Sequence, residues 1–74
     1  MTLYEQAIAV SKMYLGPATE SFIDRQCKTR LKIEPSALSL SQLAELSRYV
    51  ELYGATIMDP AKAGLLAAKI AALR

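Results

Sequence analysis

Four basic side chains between positions 25 and 32 are one set of candidates for a binding function. Arg25, Lys28 and Lys32 recur at offsets of three and seven residues, which is the spacing of one helix face, and Arg30 lies beside them. The simplest interpretation of such a stripe is a solvated helix face, and the alternatives are contacts with an acidic protein partner or with phosphates. The sequence leaves these three interpretations open.

The types of residue present argue against catalysis and against a bound metal. The chain has no histidine and one cysteine, Cys27, so it offers neither a Ser-His or Cys-His nucleophile pair nor a zinc ligand set. Its carboxylates lack the spacing of a calcium loop, and its three glycines form no phosphate-binding loop. We therefore expect no catalytic residue, no cofactor and no metal site. Cys27 itself is predicted to be a buried thiol with a raised pKa.

Tyrosines form a second group of candidate contact residues. The chain has four of them, and tyrosine is enriched at protein interfaces because it combines a large apolar ring with a polar hydroxyl group. Tyr53 belongs to the apolar stripe of its predicted helix and is expected in the core. Tyr49 lies outside that stripe, so it is predicted to contact a partner.

The last apolar segment, residues 61–73, is a third candidate surface. It falls short of the roughly 20 apolar residues that a membrane span needs, and Lys62 and Lys69 interrupt it. Apolar side chains cover most of the circumference of this predicted helix, which is more apolar surface than one short chain can bury. Leu65 and Lys69 are therefore predicted to contact a partner or a second copy, and Gly64 is expected where two helices approach closely.

Apolar periodicity predicts a single all-α domain, residues 1–74, built as a compact bundle of four short helices. The predicted helices span about residues 3–15, 17–32, 40–57 and 60–73. A chain of 74 residues with 53% hydrophobic residues buries only about 60% of its unfolded surface. We therefore expect the monomer either to be marginally stable or to depend on a partner.

Capping and helix-breaking residues set the predicted boundaries. Thr2, followed three residues later by a glutamate, has the spacing of a capping box, and Ser39 has the same relationship to a glutamine. Gly16-Pro17 predicts a tight corner between the first two helices, and Asp59-Pro60 predicts the start of the last one. Gly54 either bends or ends the third helix.

Two short motifs resemble a known kind of domain. Tyr14-Leu15-Gly16-Pro17-Ala18, followed by Phe22-Ile23-Asp24-Arg25-Gln26, is similar to a small bacterial helical module of signalling and regulatory proteins. The Leu43-Ala44-Glu45-Leu46 segment and the break at Asp59 fit the same pattern, so the resemblance covers about residues 14–70. It implies an accessory or interaction domain and supplies no catalytic residues. The positions predicted to be architectural are Tyr14, Gly16, Pro17, Phe22, Asp59 and Pro60.

These patterns together predict a cytoplasmic module for protein–protein interaction or oligomerisation, whose partner is another protein or a second copy in a homodimer. The alternative is a small DNA-binding regulator of the helix-turn-helix type that uses Arg25, Lys28, Arg30 and Lys32. Nucleic acid is the less favoured partner because no aromatic residue alternates with these cations to stack on bases.

Overall fold

The structure of this protein is a computed structural model that describes residues 2–73. Every regular element in these residues is helical and none of them is a β-strand, which confirms the all-α prediction. The α-helices are α1 (Leu3–Leu15), α2 (Thr19–Arg25), α3 (Leu43–Gly54) and α4 (Pro60–Ala71). Only α1, α3 and α4 have 12 or 13 residues, and α2 has seven. The predicted bundle of four short helices is therefore not confirmed.

Helix α1 begins and ends as the sequence predicts. The Thr2 hydroxyl accepts the Glu5 backbone N–H at 3.1 Å, and the Glu5 carboxylate accepts the Thr2 backbone N–H at 2.8 Å. The hydrogen bond from the Thr2 backbone N–H stabilises the charged carboxylate of Glu5 and lowers its pKa, and the Thr2 side chain lowers this pKa further. Gly16 ends the helix at φ 60° and ψ −133°, where a side chain would be strained, and Pro17 continues into a 3₁₀ turn.

The second predicted helix, residues 17–32, is not one continuous α-helix. Its first residues belong to the 3₁₀ turn, α2 follows, and a π-helix occupies Gln26–Leu31. Arg30 comes seven residues after the buried Ile23, and in an uninterrupted α-helix the two side chains would share one face. The guanidinium of Arg30 would then enter the core without a partner. The wider π turn, with hydrogen bonds to carbonyls five residues earlier, leaves Arg30 exposed and packs Leu31 against the core.

Lys32 ends the π-helix in a left-handed conformation, with φ 58° and ψ 44°. It is the one non-glycine residue with positive φ among residues 2–73. Its backbone N–H donates to the Cys27 carbonyl, and so does the N–H of Ile33 at 3.0 Å. This conformation costs an L-residue about 1 kcal/mol, because its Cβ comes close to the carbonyl oxygen.

Two 3₁₀ turns, Pro35–Ala37 and Leu40–Gln42, lead into α3. Ser39 and Gln42 form the predicted capping box, in which Gln42 Oε1 accepts the Ser39 N–H at 3.0 Å. Because residues 40–42 form a 3₁₀ turn, α3 itself begins three residues later than predicted.

Gly54 ends α3, which decides between the two alternatives that the sequence leaves open. Residues 55–57 form a turn after the helix, and the Gly54 carbonyl accepts the N–H groups of Ile57 at 3.0 Å and Met58 at 2.9 Å within it. The predicted extension to residue 57 is wrong, and Ile57, expected on the apolar stripe, is 58% exposed. Pro60 starts α4 as predicted. Asp59 lies at the N-cap position, although its side chain makes no capping hydrogen bond.

The core lies between α3 and α4 and is closed on one side by α1 and α2. Helices α3 and α4 approach closely at Gly54, where an added Cβ would lie 3.5 Å from Ala63 Cβ. A Cβ at Gly64 would meet only the Glu51 carboxylate within 4 Å, so Gly54 rather than Gly64 lies at the close approach. The largest fully buried aliphatic side chains are those of Ile23, Leu46, Val50, Leu66 and Ile70.

Candidate interaction groove

A groove runs between the second helical segment and the carboxyl end of α3. One wall comes from α2 and the first turns of the π-helix, and the other comes from α3 and the turn that follows it. The groove has a volume of about 190 Å³ and continues into a neighbouring depression of about 270 Å³ that shares three of its residues. We call this surface the arginine groove; its lining residues are Ala18, Ser21, Phe22, Arg25, Gln26, Arg30, Tyr53, Thr56 and Ile57.

The guanidinium of Arg30 lies over the ring of Tyr53, 4.4 Å from its centroid. Tyr53 in turn stacks on Tyr49, with ring centroids 6.4 Å apart and an interplanar angle of 23°. A guanidinium over an aromatic face is attracted by the ring and keeps its N–H edge available to an anion. The tyrosine pair thus holds one cation of the groove in place.

Arg25 and Arg30 line the same groove because of the π-helix between them. In an α-helix, side chains three or four residues apart share a face, whereas hydrogen bonding in the π-helix spans five residues. Both arginine side chains are exposed. The lining residues include no aspartate or glutamate, so these described residues give the groove a net positive charge.

The apolar part of the groove is formed by Phe22 and Ile57. Phe22 is half-buried and packs against the core, whereas Ile57 is 58% exposed in the turn after α3. The two side chains lie beside the arginines, so the groove combines an apolar surface with two cations. Such a combination can receive a segment that carries both an apolar side chain and an anion.

Gln26 contributes a buried amide to the groove wall. Its side chain is 2% exposed, and its Oε1 atom has no hydrogen-bond partner. An unpaired buried acceptor is unfavourable, so this amide lowers the stability of the wall that it belongs to.

The remaining basic residues of the predicted stripe lie elsewhere. Lys28 and Lys32 line a separate depression of about 410 Å³ with Ile33 and Glu34. The single stripe that α-helical spacing predicts is therefore divided into an arginine pair and a lysine pair, because the π-helix changes the register. Sequence spacing alone could not group Arg30 with Tyr53, since the two belong to different helical segments.

The predicted contact residues of α4 occupy another part of the molecule. Leu65 is 58% exposed, and Lys69 Nζ lies 5.9 Å from the centroid of the Tyr14 ring. Tyr14 is half-buried, and its ring supports Lys69. The predicted architectural residues Gly16 and Pro17 form the corner between α1 and α2.

Three comparisons with known proteins find no match for this chain. Neither the models of protein families, nor the curated protein sequences, nor the solved structures contain a match to the chain.

Among residues 2–73 there is neither a metal-ligand cluster nor an exposed thiol. Within residues 2–73, no group of three or more histidine, cysteine, aspartate or glutamate side chains is placed to hold a metal ion. Cys27 is fully buried, and its removal from water, with a smaller effect of the Asp24 charge, raises the pKa of the thiol to about 11. Over the same residues, no helix combines the length and apolar character needed to cross a membrane.

Proposed function

We propose that this chain is a cytoplasmic protein–protein interaction module of a regulatory or signalling assembly, and that the arginine groove receives its partner. The observation that carries the proposal is the exposed Ile57 side chain beside Phe22, next to two arginines on a surface without carboxylates. Exposed apolar side chains next to arginine and tyrosine are typical of the residues that contribute most to protein interfaces.

The amount of exposed apolar surface also supports association. Besides Ile57, four large hydrophobic side chains are more than half exposed: Met13, Leu40, Leu52 and Leu65. Single exposed leucines are normal on a protein surface, but they are numerous for a chain of 74 residues. The partner is either another protein or a second copy of this chain.

Photo-crosslinking tests this proposal. A photoreactive amino acid placed at position 57 of the full chain should form covalent adducts with a polypeptide when irradiated in the native host. The same amino acid at position 52 is the matched control, because Leu52 is 61% exposed and lies outside the groove. Adducts at 57 well above those at 52 support the proposal. Equal yields, or none at 57, contradict it, and adducts of twice the chain's mass identify the partner as a second copy.

The alternative proposal is a DNA-binding regulator. The exposure of Lys28, Arg30 and Lys32 on one short segment favours it, because exposed cations can contact phosphates. It predicts retardation of duplex DNA at low salt, with binding that weakens steeply as salt rises. If duplex DNA is not retarded at low salt, this alternative is excluded.

A further inference from the structure

We propose that the arginine groove selects an acidic peptide segment that carries an aliphatic or aromatic anchor, with its carboxylates on Arg25 and Arg30 and its anchor on Phe22 and Ile57. This inference rests on the proposed interaction function and adds the chemistry of the partner. The ligand is a segment of another polypeptide rather than a nucleic acid or a lipid surface.

Charge complementarity is the first argument. The groove has two arginine side chains and no acidic residue among its lining residues. Guanidinium groups pair with carboxylates through two parallel hydrogen bonds, which fixes the direction of the ligand as well as its charge. Basic segments would be repelled from the same surface.

The position of Arg30 is the second argument. Its guanidinium already lies 4.4 Å from the Tyr53 ring centroid, and Tyr53 stacks on Tyr49. Less side-chain freedom is therefore lost when a carboxylate binds, which favours affinity. Arg30 covers one face of the Tyr53 ring, so a nucleic acid base cannot stack on that face.

The apolar surface is the third argument, and it separates a peptide from a free anion. Phe22 and Ile57 would contribute nothing to the binding of a phosphate or a sugar–phosphate chain. They can bury a leucine, isoleucine or phenylalanine of a bound segment.

Selection from a library of random displayed peptides tests the inference while the partner is still unidentified. Peptides retained by the wild-type chain should be enriched in aspartate and glutamate next to a large apolar residue. The double variant Arg25→Glu/Arg30→Glu should instead retain peptides enriched in lysine and arginine. Selection of no peptide, or of peptides without acidic enrichment, overturns the inference.

Titration of the best selected peptide then assigns the contacts. Replacement of its acidic residues by their amides should weaken binding at least tenfold, and Arg30→Gln should weaken binding of the original peptide about tenfold. Ile57→Ser should weaken it about fivefold, which corresponds to about 1 kcal/mol. The matched controls are Arg48→Gln and Leu52→Ser, since both residues are exposed and lie in a different depression.

The controls decide the outcome. Losses below twofold in both controls, with circular dichroism unchanged in all four variants, support the inference. Equal losses at positions 30 and 48 overturn it, and so does displacement of the peptide by duplex DNA or by anionic vesicles at similar charge concentration. If the peptide result fails while crosslinking at position 57 still captures a protein, the interaction function stands and the acidic partner is wrong.

Discussion

The hydroxyl of Tyr4 donates a hydrogen bond of 2.5 Å to Asp24 Oδ1, across the corner between α1 and α2. The two residues are 20 positions apart in the chain, and the bond is partly buried. It joins the first turn of α1 to the last turn of α2. The bond therefore fixes the angle between these two helices, which the Gly16-Pro17 corner allows but does not determine. Because α2 is a wall of the arginine groove, this bond also helps to position Arg25.

Tyr4→Phe should lower the free energy of unfolding at pH 7 by about 1 kcal/mol, because it removes the donor to a charged acceptor. The hydrogen bond to Asp24, followed by burial, raises the pKa of the Tyr4 phenol above its ordinary value of 10.0. The folded state therefore favours the protonated phenol, so the stabilisation is complete below about pH 10 and falls progressively as the pH rises from there towards the raised pKa of the folded state. Urea titrations at several pH values measure the difference.

The control for this prediction is Tyr14→Phe, which keeps the ring that Lys69 contacts. It should leave stability within about 0.5 kcal/mol of the wild type. A difference between wild type and Tyr4→Phe that stays constant from pH 7 to pH 11 would contradict the proposed linkage.

Lys32→Gly should raise the free energy of unfolding by about 0.5 to 1 kcal/mol. The left-handed conformation at position 32 is unfavourable for a residue with a Cβ, and glycine removes that cost. Glycine also increases the conformational entropy of the unfolded chain, which offsets part of the gain. Lys32→Ala removes the same charge and keeps the Cβ, so it isolates the backbone effect. If the alanine variant is as stable as the glycine variant in urea denaturation, the backbone explanation fails.

Gly64→Ala should stabilise the protein by about 1 kcal/mol, because alanine is the better residue in a helix interior. The added methyl group meets only the flexible end of Glu51, at an ordinary contact distance of 3.5 Å. Thermal and urea unfolding measure the gain, and Ala68→Gly on the exposed face of the same helix should cost a similar amount. A loss of stability in Gly64→Ala would contradict this prediction, because it would show that the added methyl group is too close to a neighbouring atom.

Cys27 should resist alkylation by iodoacetamide at pH 8 in the native protein. Its thiol is fully buried, and with a pKa of about 11 only about one thiol in a thousand is ionised at that pH. The rate should rise by orders of magnitude in urea, which exposes the sulfur and restores its ordinary pKa. A Cys27→Ala/Ser36→Cys variant supplies an exposed thiol for comparison, and native Cys27 reacting as fast as that thiol contradicts the prediction.

Local features of the chain were predictable where neighbouring residues decide them. The Thr2–Glu5 capping box, the Gly16-Pro17 corner and the start of α4 at Pro60 each depend on hydrogen bonds or backbone angles within a few positions. The helical periodicity of the apolar residues likewise specified an all-α chain, because only one face of each helix can be buried.

The groove was decided by the tertiary structure. The α-helical spacing grouped Arg25 with Lys28 and Lys32. In the structure Leu31 packs against the core and Arg30 is excluded from it. The π-helix that allows this arrangement places Arg30 over Tyr53. Ile57 became a surface residue because α3 stops at Gly54 and turns to pack α4 against it. Sequence patterns indicate which side chains favour burial. Which of them are buried, and which residues then lie side by side on the surface, depends on how the helices pack around one small core.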